Sequence, residues 1–290
     1  GAGGIGIQSS ITGTALWYAA GGAAGNCGQS SASGVGGASG TNAGATNTGS
    51  GGGGGSNALG GAGADGIVIL RYPTADITAT GGTVTTDGSD TIHSFTSDGN
   101  FVISSGTGTV QHLIIGGGGS GGSSASNGAG MGGGGAGGVI QGTATMSSGT
   151  YPVVVGTGGA QTSHGTSNHS PPDQCTNAYY STGKKGTSST FNGLEAYGGG
   201  AGYGAGQMTQ CGADTSDWNP NVWNIDDIRD GGSGGGGAFD SNGGTLEFRE
   251  GGAGRTAFST GANADLIGTS IDNVKFRIEK VGSPTGQAEV

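Results

Sequence analysis

Runs of residues without a side chain constrain this chain more than any other feature. Four are uninterrupted glycine, at 51–55, 116–119, 132–135 and 234–237. Glycine adds nothing to an apolar core and loses the most conformational freedom on folding. It supplies 75 of the 290 residues, while Val, Ile, Leu and Phe together supply about 15%, below the ~20% at which a globular core becomes underfilled. One large core of the usual kind is therefore excluded, and so is collagen, because the glycines follow no G-x-y period. Gly/Ser-rich chains often behave as flexible linkers. Against that reading, the net charge of −10 is modest for the length and the few apolar residues are clustered.

The clusters are islands of four to six residues, rich in Val, Ile and Thr and bounded by Gly, which is the pattern of strands. The clearest are 66–72, 91–95, 100–103, 110–115, 138–145, 151–155, 245–248 and 274–279. No segment keeps a helical apolar period over three turns, so almost no α-helix is expected, with one turn at Trp223 to Arg229 the sole exception. Ile67 to Leu70 is continuously apolar, as in a strand covered on both faces. Val274, Phe276 and Ile278 alternate with Lys275, Arg277 and Glu279, as in a strand with one wet face. Both follow Gly-rich sequence and precede a proline, Pro73 or Pro284, and they read as closing strands of two successive units. Residues 1–74 are then the closing half of a first unit and 75–290 a second unit. The second opens with a meander of hairpins turning at Gly81-Gly82, Asp87-Gly88 and Asp98-Gly99. Alternation directs His93 and His112 outward.

Because the glycine runs abut buried-looking strands and recur with Ala and Ser, they can themselves pack. Three-per-turn extended chains have no internal hydrogen bonds, so their backbone groups need partners in neighbouring segments or water. The fold class expected is all-β, with short antiparallel strands in sandwich-like units framing glycine-rich loops or polyglycine II-type helices.

Two strings, Thr91-Ile92-His93-Ser94-Phe95-Thr96 and Val110-Gln111-His112-Leu113-Ile114-Ile115 followed by Gly116 to Gly119, resemble the opening of the glycine-rich domain of bacteriophage tail fibre and receptor-binding proteins. Tyr151-Pro152-Val153-Val154-Val155-Gly156 and Ser189-Thr190-Phe191-Asn192-Gly193-Leu194 belong to the same likeness, and Ser9 to Ala19 with Gly66 to Pro73 resemble its closing half. The resemblance covers roughly 1–160 and 186–206. It implies a non-enzymatic adhesin of a virion tail or extracellular surface, contacting a host cell-surface glycan or protein and copies of itself or other tail proteins as a homo-oligomer.

The stretches that depart from the family carry the chemistry. The segment 207–230 brings together Trp218, Trp223, Asn219, Asn221, Asp226 and Asp227, and 161–185 adds Tyr179 and Tyr180. Aromatic faces cover the apolar side of a sugar ring while amides and carboxylates take its hydroxyls. The alternative is that the tryptophans fill a small satellite core beneath a long loop. Cys175 and Cys211 are candidates for one disulfide, leaving Cys27 over. The Asp cluster from Asp214 to Asp230 fits no calcium loop, and no metal or cofactor is expected. With 9 basic and 19 acidic residues the chain lacks a nucleic-acid footprint, and no apolar stretch is long enough for a membrane span. No catalytic constellation or phosphate loop stands out. A purely architectural subunit of an extracellular filament or virion connector is the competing expectation; an ice-binding glycine bundle fits the composition but not the irregular spacing.

Overall fold

The computed structural model describes residues 1–25, 30–124, 131–161 and 183–202, together with the backbone of 180–181, 239–242 and 245–248. By its internal contacts the chain divides into Gly1–Ala257 and Phe258–Val290; the second unit lies outside the described residues. In chain order the strands are β1 (Ile7–Ser9), β2 (Leu16–Tyr18), β3 (Ile67–Pro73), β4 (Ile77–Thr80), β5 (Thr83–Asp87), β6 (Asp90–Phe95), β7 (Gly99–Ile115), β8 (Ser123–Ser124), β9 (Val139–Val154), β10 (Tyr180–Ser181), β11 (Ser189–Phe191), β12 (Leu194–Ala196), β13 (Phe239–Asn242) and β14 (Thr245–Phe248). All described pairings are antiparallel, and the described residues contain no helix. The chain is all-β, as the apolar islands require. The single turn expected at Trp223 to Arg229 and the strand expected at 274–279 lie outside the described residues.

One sheet carries the fold, with strand order β12-β11-β9-β7-β3-β6-β5 and β4 paired to β7. The islands 100–103 and 110–115 fuse into β7, and 138–145 and 151–155 into β9. Polar residues between them stay in the ladder because the two strands pair along almost their whole length, from Gly99↔Val153 to Ile115↔Val139, with one irregularity between Ile103 and Thr107. At such a bulge a strand bends. The first part of β7 then pairs with β4 and the second part with β3, so the sheet doubles over into two layers.

Between the layers lie Val68, Leu70, Tyr72, Phe95, Val110 and Ile114 from one side and Ile77, Phe101, Ile103, Val153 and Phe191 from the other. Phe101 bridges them, its ring centroid 6.0 Å from that of Tyr72 and 5.1 Å from that of His93. Ile67 and Ile69 point the opposite way, into a second cluster with Ile92, Leu113 and Ile115 that is roofed by Ile11, Tyr18 and Ala19. β3 is thus covered on both faces, as its unbroken apolar run predicts. Arg71 fastens this roof: its guanidinium donates to the Ile11 carbonyl at 3.3 Å and pairs with Asp90 at 2.7 Å and Asp87 at 2.8 Å.

Two sequence expectations need correction. The segment after Thr74 is not a simple meander, because β3 lies between β6 and β7 and is bonded to both. Of the three expected turns, Asp87-Gly88 alone closes a hairpin of adjacent strands, with Asp87 opposite Asp90. Residues on the two sides of Thr74 accordingly share one sheet. His93 and His112 are also buried, not outward. Alternation separates the two faces of a strand, but here both faces are covered.

The glycine segments continue the strands at one end of the sandwich. β7 runs on as 116–122, β9 as 155–161, β12 as 197–202 and β2 as 19–25, while 60–66 leads into β3, 131–138 into β9 and 183–188 into β11. Segment 116–122 shows how they pack. Gly116, Gly119 and Gly122 donate to the carbonyls of Gly138, Gly135 and Gly132; Gly117 and Ser120 donate to Thr187 and Lys184; Gly118 and Gly121 donate to Ala64 and Gly61. Every third residue faces the same neighbour, which is the signature of a three-per-turn extended helix. Its carbonyls in turn accept from Gly199 and Gly202, Gly159, and Gly52 and Gly55, giving six neighbouring segments in all. Segment 49–55 is ringed in the same manner. A Cβ on Gly119 would fall closer than 3.0 Å to the Gly200 carbonyl, and one on Gly121 closer than 3.0 Å to that of Gly53. The interior of the bundle is therefore packed backbone, which only glycine permits at this spacing. At ~3.1 Å per residue, a seven-residue segment spans about 22 Å.

Candidate functional site: the loop-bearing end of the bundle

The register of these hydrogen bonds fixes which ends of the segments meet. Gly52 and Gly55 donate to Gly119 and Gly122, and Gly199 and Gly202 donate to Gly117 and Ser120, so 49–55, 116–122 and 197–202 run in one direction. Segment 19–25 joins them, through Gly51 to Ala20 and Gly54 to Ala23. Segments 60–66, 131–138 and 183–187 run the opposite way, as the descending pairings of Gly118 with Ala64, Gly119 with Gly135 and Gly117 with Thr187 require. The ends remote from the sandwich are directly linked. Gly25 donates to Met131 at 2.7 Å, Gly55 to Gly122 at 2.8 Å, Ala58 to Ser124 at 2.7 Å and Gly183 to Gly202 at 2.9 Å. Tyr180 and Ser181 pair with Ser124 and Ser123. The departures of 26–29, 125–130, 162–182 and the chain beyond 202 therefore cluster at one end.

Of the candidate binding residues, Tyr180 belongs to β10 at that end by its backbone. Tyr179, Trp218, Trp223, Asn219, Asn221, Asp226 and Asp227 lie outside the described residues, as do Cys175 and Cys211. Their flanks are placed: the segment containing Tyr179 and Cys175 returns at Gly183, and the one containing both tryptophans leaves after Gly202. Lys184 and Lys185, the basic doublet, are exposed beside that junction. Among the described residues no group of three His, Cys, Asp or Glu could hold a metal. No helix among them is long and apolar enough to cross a membrane.

Residues that outward alternation would misplace form a polar pair inside the sandwich. His93 Nδ1 lies 2.6 Å from the Gly81 carbonyl and Nε2 lies 2.9 Å from the Tyr72 hydroxyl. A carbonyl only accepts, so Nδ1 donates; the neutral ring then accepts from Tyr72 through Nε2. The rings of Tyr72 and His93 stack with centroids 5.6 Å apart. Burial holds the His93 pKa below the usual histidine range, partly opposed by the bond to Gly81. His112 is likewise lowered by burial, and its Nδ1 is buried with no hydrogen-bond partner among the described residues. Burial raises the Tyr72 hydroxyl. The pair ties β3, β6 and the turn at Gly81 together inside the core.

The described residues thus form a doubled β-sheet extended by a backbone-packed glycine bundle. The chain belongs to the glycine-rich domain family, whose model matches residues 95–283. Comparison with curated proteins returned no match, and neither did comparison with solved structures.

Proposed function

We propose that the protein is a structural and adhesive segment of a phage tail fibre or tail tip, non-enzymatic, which binds a host cell-surface glycan or protein through the segments 161–185 and 207–230. One observation carries the reading: the 2.9 Å hydrogen bond from Gly183 to Gly202 sets the return of the first aromatic segment beside the departure of the second. The described flanks of two stretches rich in aromatic, Asn and Asp residues are thereby held side by side at the end of the bundle remote from the sandwich. Presenting recognition groups on a rigid support reduces the entropy lost on binding. The expected surroundings are a virion tail or other extracellular surface, with further copies of the chain or other fibre proteins as neighbours.

Adsorption to host cells and binding to a glycan array, measured with the Trp218→Ala,Trp223→Ala double variant, test the assignment. Loss of binding with unchanged thermal unfolding is the expected result; undiminished binding refutes the site. Solution mass tests the wider role. A monomer or closed oligomer agrees with a fibre tip, whereas open-ended polymers favour the architectural subunit.

A further inference from the structure

The main sheet has one long edge with little to guard it. β9 runs for 16 residues and pairs with β7 along one side. On its other side, among the described residues, only Val153 and Val154 meet a neighbouring strand, β11. The stretch from Val139 to Ser147 therefore lines an edge of the sheet and turns backbone donors and acceptors outward. Natural sheets guard such edges with short strands, charges or proline, because an open ladder is a template for another chain. The other edges of this sheet follow that rule. β4, β5 and β12 are four, five and three residues long, with Asp76 directly before β4, Asp87 in β5 and Glu195 in β12. Pro152 guards β9 beside the β11 contact, where a missing N–H suits an edge. Val139 to Ser147 carries none of these devices, and no Asp, Glu, Lys or Arg stands anywhere between Asp98 and Asp173.

The sequence of this edge is its own complement. Gln141, Thr143, Thr145 and Ser147 are exposed on one face. On the other, Ile140 and Ala144 pack against the core and Met146 is buried within it. A second β9 laid antiparallel about a twofold axis at Thr143 sets Thr143 opposite Thr143, Gln141 opposite Thr145, Gly142 opposite Ala144 and Ile140 opposite Met146. Polar residues then meet polar ones, and apolar residues meet apolar ones. A slip of one residue would set the two kinds against each other, since side chains alternate with a period of two. Threonines facing each other across a ladder hydrogen-bond, and an uncharged edge offers nothing by which to select a strand of opposite charge.

We infer that β9 is a self-association edge, through which two copies of this chain join by residues 139–147 and continue their sheets into one. The contact is isologous, with the same patch on both copies, so it closes at the dimer. It uses neither 161–185 nor 207–230 and stands apart from what those segments bind.

Sedimentation velocity of the full-length chain over a range of concentrations tests this, with Thr143→Lys, Thr143→Glu and, on the β5 edge, Thr85→Lys. Thr143 and Thr85 are exposed, so each variant should unfold at the temperature of the parent. The parent is expected as a dimer. Thr143→Lys and Thr143→Glu each set like charges face to face across the axis and should weaken association by about a hundredfold or more. An equimolar mixture of the two should dimerise again, because only mixed pairs bring opposite charges together. Thr85→Lys should sediment as the parent does, and so should the Trp218→Ala,Trp223→Ala variant, which separates failure of this contact from failure of the loop assignment. A monomeric parent, species larger than the dimer, a Thr143→Lys dimer as tight as the parent's, a mixture that stays monomeric, or loss of the dimer in Thr85→Lys or in the tryptophan variant each overturns the inference.

Discussion

Gly119→Ala is the sharpest test of whether the glycine runs form a packed interior. The methyl group would fall onto the Gly200 carbonyl, which is backbone and has no rotamer by which to withdraw. Segments 116–122 and 197–202 would have to part. That movement loosens the bonds from Gly199 to Gly117 (2.7 Å), Gly202 to Ser120 (2.8 Å) and Gly135 to Gly200 (2.8 Å). Each buried group left without its partner costs roughly 1–3 kcal/mol, so with partial relaxation a loss of about 3–6 kcal/mol is expected. The reduced freedom of the unfolded chain returns only about 0.4–1 kcal/mol. Gly4→Ala is the matched control, since the nearest atom to its added methyl is 3.9 Å away and the residue is exposed. It should be neutral or slightly stabilising. In calorimetry the difference corresponds to a Tm lower by about 6–24 °C for Gly119→Ala, at roughly 2–4 °C per kcal/mol for a domain of this size. Equal Tm values for the two variants would mean that 116–122 is a solvated linker, and the bundle argument would fail.

Stability should fall as the pH drops below the ordinary histidine value of about 6.5. Both His93 and His112 have folded pKa values lowered by burial, so the unfolded chain takes up protons first, with a limiting slope of about 1.4 kcal/mol per pH unit for each histidine. His112→Leu should flatten that dependence and leave neutral-pH stability equal or higher, because it removes an unpartnered buried nitrogen; urea titrations at pH 5 and pH 7.5 check this, and an unchanged slope refutes the assignment. His93→Leu should instead lower stability at pH 7.5 by roughly 1–3 kcal/mol, as the Tyr72 hydroxyl and Gly81 carbonyl lose their partner. Arg71→Met should loosen the β1–β2 roof at a cost of about 1–2 kcal/mol, modest because Asp87 and Asp90 are partly solvated and screening weakens such pairs. Raising salt to 1 M should narrow the gap between parent and variant in urea unfolding.

Local patterns carried the sequence reading as far as local patterns extend. Val, Ile and Thr islands located the strands, the unbroken run at 67–70 announced a strand covered on both faces, and Asp87-Gly88 marked a true hairpin. The placement of glycine beside those strands favoured order over a linker. What alternation could not supply was the neighbour of each strand. β3 inserts between β6 and β7, and β7 changes partner at its bend; both facts depend on pairings made far along the chain. The inward positions of His93 and His112 follow from that doubling of the sheet, since a period of two distinguishes faces without saying which are covered.

By itself the sequence determined that this protein would be all-β and that its few apolar residues would fall in strands bounded by glycine runs. Tertiary structure alone decided how the runs assemble. Glycine segments have no side chains to encode register, and any run can donate to any other, so nothing local states that 116–122 is ringed by six neighbours or that Gly183 meets Gly202. Those choices are made by the strands to which the segments are joined, which enter the bundle already fixed in order and direction by the sandwich.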